Sequence, residues 1–318
     1  MKPCPPVLLI VFNRPNLAAK VLGAIRRQRP AKLYIACDGP RDFASYPHEE
    51  EHCRECRNLV KTIDWPCEVF TRFNEVNMGC GRGPSSAIAW FFKNETAGII
   101  LEDDCLPADD FFPYCAELLV HYRDNSKVMH ICGNNFGSPD AVRACGGFSY
   151  GFGRYAQVWG WASWARAWQH FEHDLGAEVK IESHYKILGV EPLRQLMHRD
   201  RILSTTMGRK HDVWDYQWQF AVLKHRGIVA CPSVNLISNI GFGDDATHTK
   251  NRNSPVAMAF TGKLALPLKH PPSMCESPDV NRIYADHMFG RAWKLRRKLL
   301  KSWLRGLFTF KPVTQRGV

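Results

Sequence analysis

Glu102, Asp103 and Asp104 stand side by side after the apolar run Ile99-Ile100-Leu101, so three like charges follow a stretch that a globular chain buries. Carboxylates at the end of a strand suit Mg²⁺ or Mn²⁺, hard cations that take oxygen ligands and often use only one or two protein carboxylates beside the phosphate oxygens of a substrate. A divalent cation relieves the repulsion among the three acids. The competing use of such a cluster is a solvated turn that caps the next helix, but Asp109 or Asp110 is already placed to supply that cap.

Two further segments carry candidate chemistry. In "VWDYQW", Asp215 precedes a helical stretch; it reads either as a general base flanked by Trp214 and Trp218 or as an acid favoured at a helix start by the macrodipole. In "IGFGDDATHT", Gly241 and Gly243 allow a tight turn, and Asp244, Asp245 and His248 could close over a phosphate or a metal. Of the tryptophans in "VWGWASWARAW", Trp159 and Trp161 flank Gly160 and are the candidates for a pocket wall, while Trp164 and Trp168 read as core. His52, Cys53, Cys56 and Cys67 hold a single Cys-x-x-Cys; without a second pair they read as free thiols on a helix rather than a zinc site.

The elements that must position these residues alternate. "PVLLIVF", "KLYIAC", "CEVFTRFN", "GIILEDD" and "KVMHICG" read as buried strands. Between them, "NLAAKVLGAIRRQ" has Leu17, Val21, Leu22 and Ile25 at helical spacing with Asn16 at the cap, "EEEHCRECRNLVKTI" reads as a helix, a further helix is expected from about Pro84, and "ADDFFPYCAELLVHYR" is another. This order predicts an α/β fold whose central sheet is mostly parallel and flanked by helices on both faces. Ligands of such sheets bind at the carboxyl edge of the strands, where Asn13-Arg14, Asp38-Gly39, the loop from Asn77 through Gly79 to Gly81, and Glu102-Asp103-Asp104 all fall. Residues 1–288 are expected to form one catalytic domain, with a nucleotide-binding half over 1–135 and an acceptor-side half over 136–288.

Composition is that of a globular chain: 318 residues, 45% hydrophobic and 23% charged. The net charge of +11 is concentrated at the end, because nine Lys/Arg and no Asp or Glu follow residue 290, so the body is nearly neutral and nucleic acid is not the expected partner. Over 289–318 the leucines, Trp303 and Phe308 mark one helical face and cations fill the rest, a pattern suited to an anionic membrane surface or to packing on the body. The short apolar run near the start does not read as a leader and no stretch is long enough to span a membrane, so the expected setting is cytoplasmic, with reduced cysteines, and peripheral on the inner face of the membrane if the basic stretch binds lipid.

Taken together, "PVLLIVFNRP", "GIILEDDCLPADDFF" and "VWDYQW" resemble, in this order over roughly residues 5–250, the nucleotide-sugar-dependent glycosyltransferases of the GT-A fold. The likeness is greatest to the inverting N-acetylglucosaminyltransferases that begin complex N-glycan branches, and extends to bacterial hemolytic-protein-like sugar transferases. The resemblance implies that Asp104 binds Mn²⁺ (or Mg²⁺) directly, that Asp103 and Glu102 reach the ribose or a metal-bound water, that Arg14 contacts the diphosphate and Asp38 the uracil, and that Asp215 is the general base. It departs from the family's "WDDW"-like segment at Tyr216, on the acceptor side. The implied partners are a nucleotide-sugar donor, on the resemblance a UDP-sugar, and a glycan, lipid-linked or protein acceptor. The alternatives are a sugar-nucleotide nucleotidyltransferase, whose Gly-rich signature "FNRPN" does not supply, and a non-catalytic membrane-surface or interaction protein that keeps the fold.

Overall fold

The structure, a computed structural model, describes residues 3–175, 212–242 and 259–289. Eight strands form the central sheet: β1 (Val7–Val11), β2 (Lys32–Cys37), β3 (Glu68–Phe73), β4 (Ala97–Glu102), β6 (Val128–Cys132), β7 (Tyr150–Gly153), β8 (Trp161–Trp164) and β9 (Ile228–Pro232). Their order is β3-β2-β1-β4-β8-β6-β9-β7. Pairings β1–β2, β2–β3, β1–β4 and β6–β9 are parallel; β8 runs against both β4 and β6, and β7 against β9. Six strands therefore share one direction. A separate antiparallel pair joins β5 (Cys105–Pro107) to β10 (Ile237–Asn239).

Strands β1, β2, β4, β6 and β9 are buried on both sides, which is why they read as continuous apolar runs, whereas the edge strand β3 is half-exposed and mixes charged with apolar residues. Val7, Leu9 and Val11 of β1 pack with α1 (Pro15–Gln28), α2 (Glu49–Asn58) and α4 (Phe111–His121). Leu8 lies on the opposite face with α3 (Gly79–Asn94) and with two later helices, α7 (Asp215–Lys224) and α8 (Pro278–Phe289). Two one-turn helices, α5 (Ala141–Ala144) and α6 (Ala165–Trp168), and a 3-10 turn over Leu59–Thr62 complete the described helical elements. Strands β7, β8 and β9, all from beyond residue 140, extend the sheet begun by the first four.

Three local expectations are corrected. Helix α3 begins at Gly79, with Pro84 inside it, five residues before the expected start. Its first turn is glycine-rich because carboxylates from elsewhere occupy the space that side chains would fill: a Cβ on Gly79 would lie 2.0 Å from Asp212 Oδ2 and one on Gly81 2.4 Å from Asp212 Oδ1. Asn16 is not the cap of α1; Arg14 holds that position, with Pro15 opening the helix. Asp110 stands at the cap of α4 but makes no side-chain bond to it. Instead its Oδ2 accepts from Leu264 N at 2.9 Å, and Asp109 pairs with Arg27 at 2.8 Å. The segments holding Gly243 to Thr249 and residues 290–318 lie outside the described residues, so the expectations for Asp244, Asp245, His248 and the basic stretch are not addressed by the fold.

Candidate functional site

The loops after β1 to β4 meet around a cavity of about 480 Å³ at the carboxyl edge of the sheet. Of the residues singled out from sequence, Asn13, Arg14, Asp38, Asn77, Gly79, Glu102 and Asp103 line it. Asp104, Gly39, Trp159, Trp161 and Asp215 are outside its lining.

At the acidic corner, Arg14 binds both neighbours. Its Nη2 pairs with Asp103 Oδ1, its Nε lies 3.3 Å from Asp103 Oδ2, and its Nη1 lies 3.0 Å from Asp104 Oδ2. Asp103 and Asp104 are both buried. Burial works against the Arg14 charge, but Asp103 and Asp104 outweigh it and raise the guanidinium's pKa. Burial also pushes Asp103 up to about 6 in spite of Arg14, so desolvation prevails over the ion pair at that carboxyl. Glu102 is pushed up to about 8, first by burial and then by the charges of Asp104 and Asp103. Asp215 raises it further and also acts on the Cys80 thiol, which places this acid at the start of α7 within electrostatic reach of the corner. The chain beyond β10 folds back on the same spot: Ile240 N donates to Asp104 O at 2.8 Å, and Gly241 lies so close that a Cβ would meet Asp104 Oδ2 at 2.3 Å.

The donor chemistry of this corner fits a hard divalent cation. Every side-chain donor is oxygen, and one or two carboxylates are what Mg²⁺ usually takes from a protein. No group of three His, Cys, Asp or Glu side chains arranged to hold a metal occurs among the described residues. Cys53 and Cys56 are buried in the core beside β2, with Cys37 Sγ 3.9 Å from Cys53 O.

The opposite wall joins Asn13, Asp38 and Asn77 to Glu49, Arg41, Arg72 and Asp212, which no sequence signal singled out. Glu49, 4% exposed, accepts from Asn13 Nδ2 at 2.7 Å, from Arg41 N at 2.7 Å and from Arg41 Nη2 at 2.5 Å, and thereby holds two cavity residues with one carboxylate. Asp38 accepts from Gly39 N, Asn74 Nδ2, Met78 N and Gly79 N, all within 3.1 Å. That uses the acceptor capacity of a carboxylate and makes Asp38 the anchor of the α3 start. Asn77 ties the same turn together through Gly39 O and Gly79 N. Asp212 lines the cavity and accepts from Gly81 N at 3.0 Å. Arg72 lines it from β3 and donates to Ser86 O at 2.7 Å. Isolated charged residues such as these carry no pattern of their own; only strand register brings them together.

Trp161 departs from its expected place. It is fully buried, stacked on His130 at 4.8 Å and close to Trp168, Trp214 and Trp218. It is core, and so are Trp214 and Trp218. Trp159 is half-buried and packs edge-on against Phe136 and Phe242.

No family model matches the chain, and comparison with curated proteins found no match. Among solved structures, mouse xyloside xylosyltransferase 1 in its apo form aligns with 70% of this chain and 83% of its own at 12% identity and a TM-score of 0.35. The layered α/β architecture, with its mostly parallel sheet and helices on both faces, is the one that the order of elements in the sequence predicts.

Proposed function

We propose that the chain is a metal-dependent glycosyltransferase that moves a sugar from a nucleotide-diphosphate sugar, a UDP-sugar on the sequence resemblance, to an acceptor hydroxyl with inversion. One observation carries the reading: the acidic corner, the Arg14 guanidinium and three further strand-end loops face a single cavity, with Asp215 in electrostatic reach. Asp104, with Asp103, would hold Mn²⁺ or Mg²⁺, Glu102 would reach the ribose, and the cation when bound supplies neutralising charge for the diphosphate. Arg14 keeps Asp103 and Asp104 paired when the donor is absent and offers the diphosphate a cation when it arrives. Asp215 accepts the proton of the acceptor hydroxyl as that oxygen bonds to the anomeric carbon; the bond from that carbon to the diphosphate oxygen breaks, and its electron pair leaves with the nucleotide. Asn13, Asn77, Gly39 and Gly79 shape the nucleotide side of the cavity. His248 and the half-buried Trp159 belong, on this reading, to the loop and wall that close over the donor sugar. A glycan, lipid-linked or protein acceptor fits the scheme, and the basic stretch after residue 288 would bring the enzyme to an anionic membrane surface on the cytoplasmic side.

The test is thermal-shift titration with nucleoside diphosphates, with and without Mn²⁺, combined with release of nucleotide from sugar donors. UDP with Mn²⁺ should raise the melting temperature. Asp104→Ala should abolish that shift, while Asp215→Ala should keep the shift and lose turnover. The proposal is wrong if no nucleoside diphosphate stabilises the protein, or if Asp215→Ala turns over like the parent.

A further inference from the structure

The register of the sheet lays one row of residues across the floor of the cavity. Glu102 on β4 pairs with Ile10 on β1, Ile10 with Ala36 on β2, and Ala36 with Arg72 on β3. All four line the cavity. The row spans three interstrand steps, about 14 Å, with an acid at one end, two apolar residues between and a cation at the other. A nucleoside diphosphate in extended form has the matching order of chemistry: charged phosphates, then a sugar, then a flat ring with polar edges.

The two ends differ in how far their charges are already satisfied. Arg14 is bound to Asp103 and Asp104, and Arg41 to Glu49. Arg72 also faces the cavity, yet it makes no ion pair among the described residues; its only hydrogen bond there goes from Nη1 to the Ser86 carbonyl. That bond fixes the guanidinium plane and leaves donors to spare, since the group has five N–H bonds and accepts none. Asp38, the nearest carboxylate expected to read the base, is filled by the loop and helix amides described above.

On the donor-site reading, we propose that Arg72 is the residue that selects the nucleobase, and that it selects a base presenting a carbonyl edge, uracil or guanine, over cytosine or adenine. A group that only donates is matched by the O4 of uracil or by the O6 and N7 of guanine. Where uracil has O4, cytosine of the same shape has an amino group, which would set donor against donor and leave both desolvated without a partner. With the diphosphate at the Glu102 end, Ile10 and Ala36 lie under the ribose and ring, and the ring's outer edge reaches Arg72.

The experiment measures dissociation constants for UDP, CDP, GDP and ADP in the presence of Mn²⁺, by calorimetry, on the parent protein and on Arg72→Ala. Arg72 lies on the edge strand with its one described hydrogen bond to a backbone carbonyl, so an unchanged melting temperature without nucleotide checks that the variant folds; Arg72→Gln serves as the second variant if it does not. The expected result is that, in at least one pair, the member with a carbonyl in place of an amino group at the outer edge, UDP over CDP or GDP over ADP, binds about tenfold or more tightly to the parent. Arg72→Ala should remove that preference by weakening the favoured nucleotide alone. Equal weakening of both members, or a parent that does not discriminate within either pair, overturns the assignment while leaving the donor site intact. A parent that binds none of the four overturns the donor site itself.

Discussion

At the scale of single residues, the site depends on carboxylates that hold other groups rather than on carboxylates that wait for a ligand. Glu49 is the clearest case. Burial opposes its ionisation, yet the hydrogen bonds and charge of Arg41, with the amide of Asn13, outweigh it and lower its pKa. Glu49→Gln keeps the shape, removes the charge and leaves the Arg41 guanidinium to find another acceptor. The variant should lose about 1–3 kcal/mol of stability, read from urea denaturation. It should also bind nucleoside diphosphate more weakly, because Asn13 and Arg41 are no longer held in place. Intact binding would show that the Asn13–Arg41 wall is not part of the nucleotide site. Glu49 was invisible in sequence as one of three consecutive glutamates at the start of a polar helix. Burial alone separates it from Glu50 and Glu51, which stay exposed.

At the scale of elements, the first turn of α3 shows how far local sequence could be read. Strands β1, β2, β4 and β6 were legible because each is a short apolar run bounded by turn residues, and α1 and α4 because their apolar spacing is helical; β7 and β8 were not, because "YGFG" and "WASW" carry glycine and tryptophan in place of an apolar run. The start of α3 was not: "NMGCGRGP" reads as loop because its three glycines and proline are poor helix formers. They are tolerated because the turn is capped from outside, by Asp38 on Met78 N and Gly79 N and by Asp212 on Gly81 N. Asp38→Ala should therefore cost about 1–2 kcal/mol and expose the first turn to amide hydrogen exchange, with no comparable change in α1. Gly81→Ala tests the other cap. Its methyl group would stand 2.4 Å from Asp212 Oδ1 and 3.2 Å from Val213 O, so the chain leading into α7 must shift. Asp215 opens that helix, and on the proposed chemistry a shift there should lower kcat by up to about a hundredfold with a smaller change in nucleotide affinity. An unchanged kcat would separate Asp212 from the placement of Asp215. The acidic corner, by contrast, was legible as a cluster but not in its pairing, since nothing in "FNRP" announces that Arg14 reaches across to a strand 90 residues away.

At the scale of the whole molecule, the two faces of the sheet are closed differently. One is sealed by aliphatic side chains of α1, the Cys53 and Cys56 thiols of α2 and the phenylalanines and leucines of α4. The other holds an aromatic cluster of Trp161, Trp168, Trp214 and Trp218 around a histidine. His130 is fully buried; Trp218 Nε1–H donates to its Nδ1 at 3.0 Å, and its Nε2–H donates to Gln157 O at 2.9 Å. Both partners require the neutral ring with the proton on Nε2, and burial pushes its pKa down to about 3. In the unfolded chain a histidine titrates near 6.5, so below that pH the unfolded state takes up a proton that the folded state refuses, and stability is lost as pH falls. Glu102, raised to about 8, acts in the opposite sense: its neutral form is favoured by folding, so its contribution is complete below about 4.5 and fades as pH rises through 8. Asp103, raised to about 6 by burial, acts in the same sense as Glu102, so the histidine is read as a difference between parent and variant. Gln in place of His130 offers an acceptor and a donor but no ionisation. His130→Gln should be less stable than the parent at pH 8, where imperfect packing against Trp161 and Trp218 dominates. Its deficit should then shrink by about 1.7 kcal/mol between pH 6.5 and pH 5, the slope approaching about 1.4 kcal/mol per pH unit at the acid end of that window. Urea midpoints of the two proteins at these pH values measure it, and parallel profiles would mean that the ring does titrate in the folded core, with the aromatic cluster open to protons.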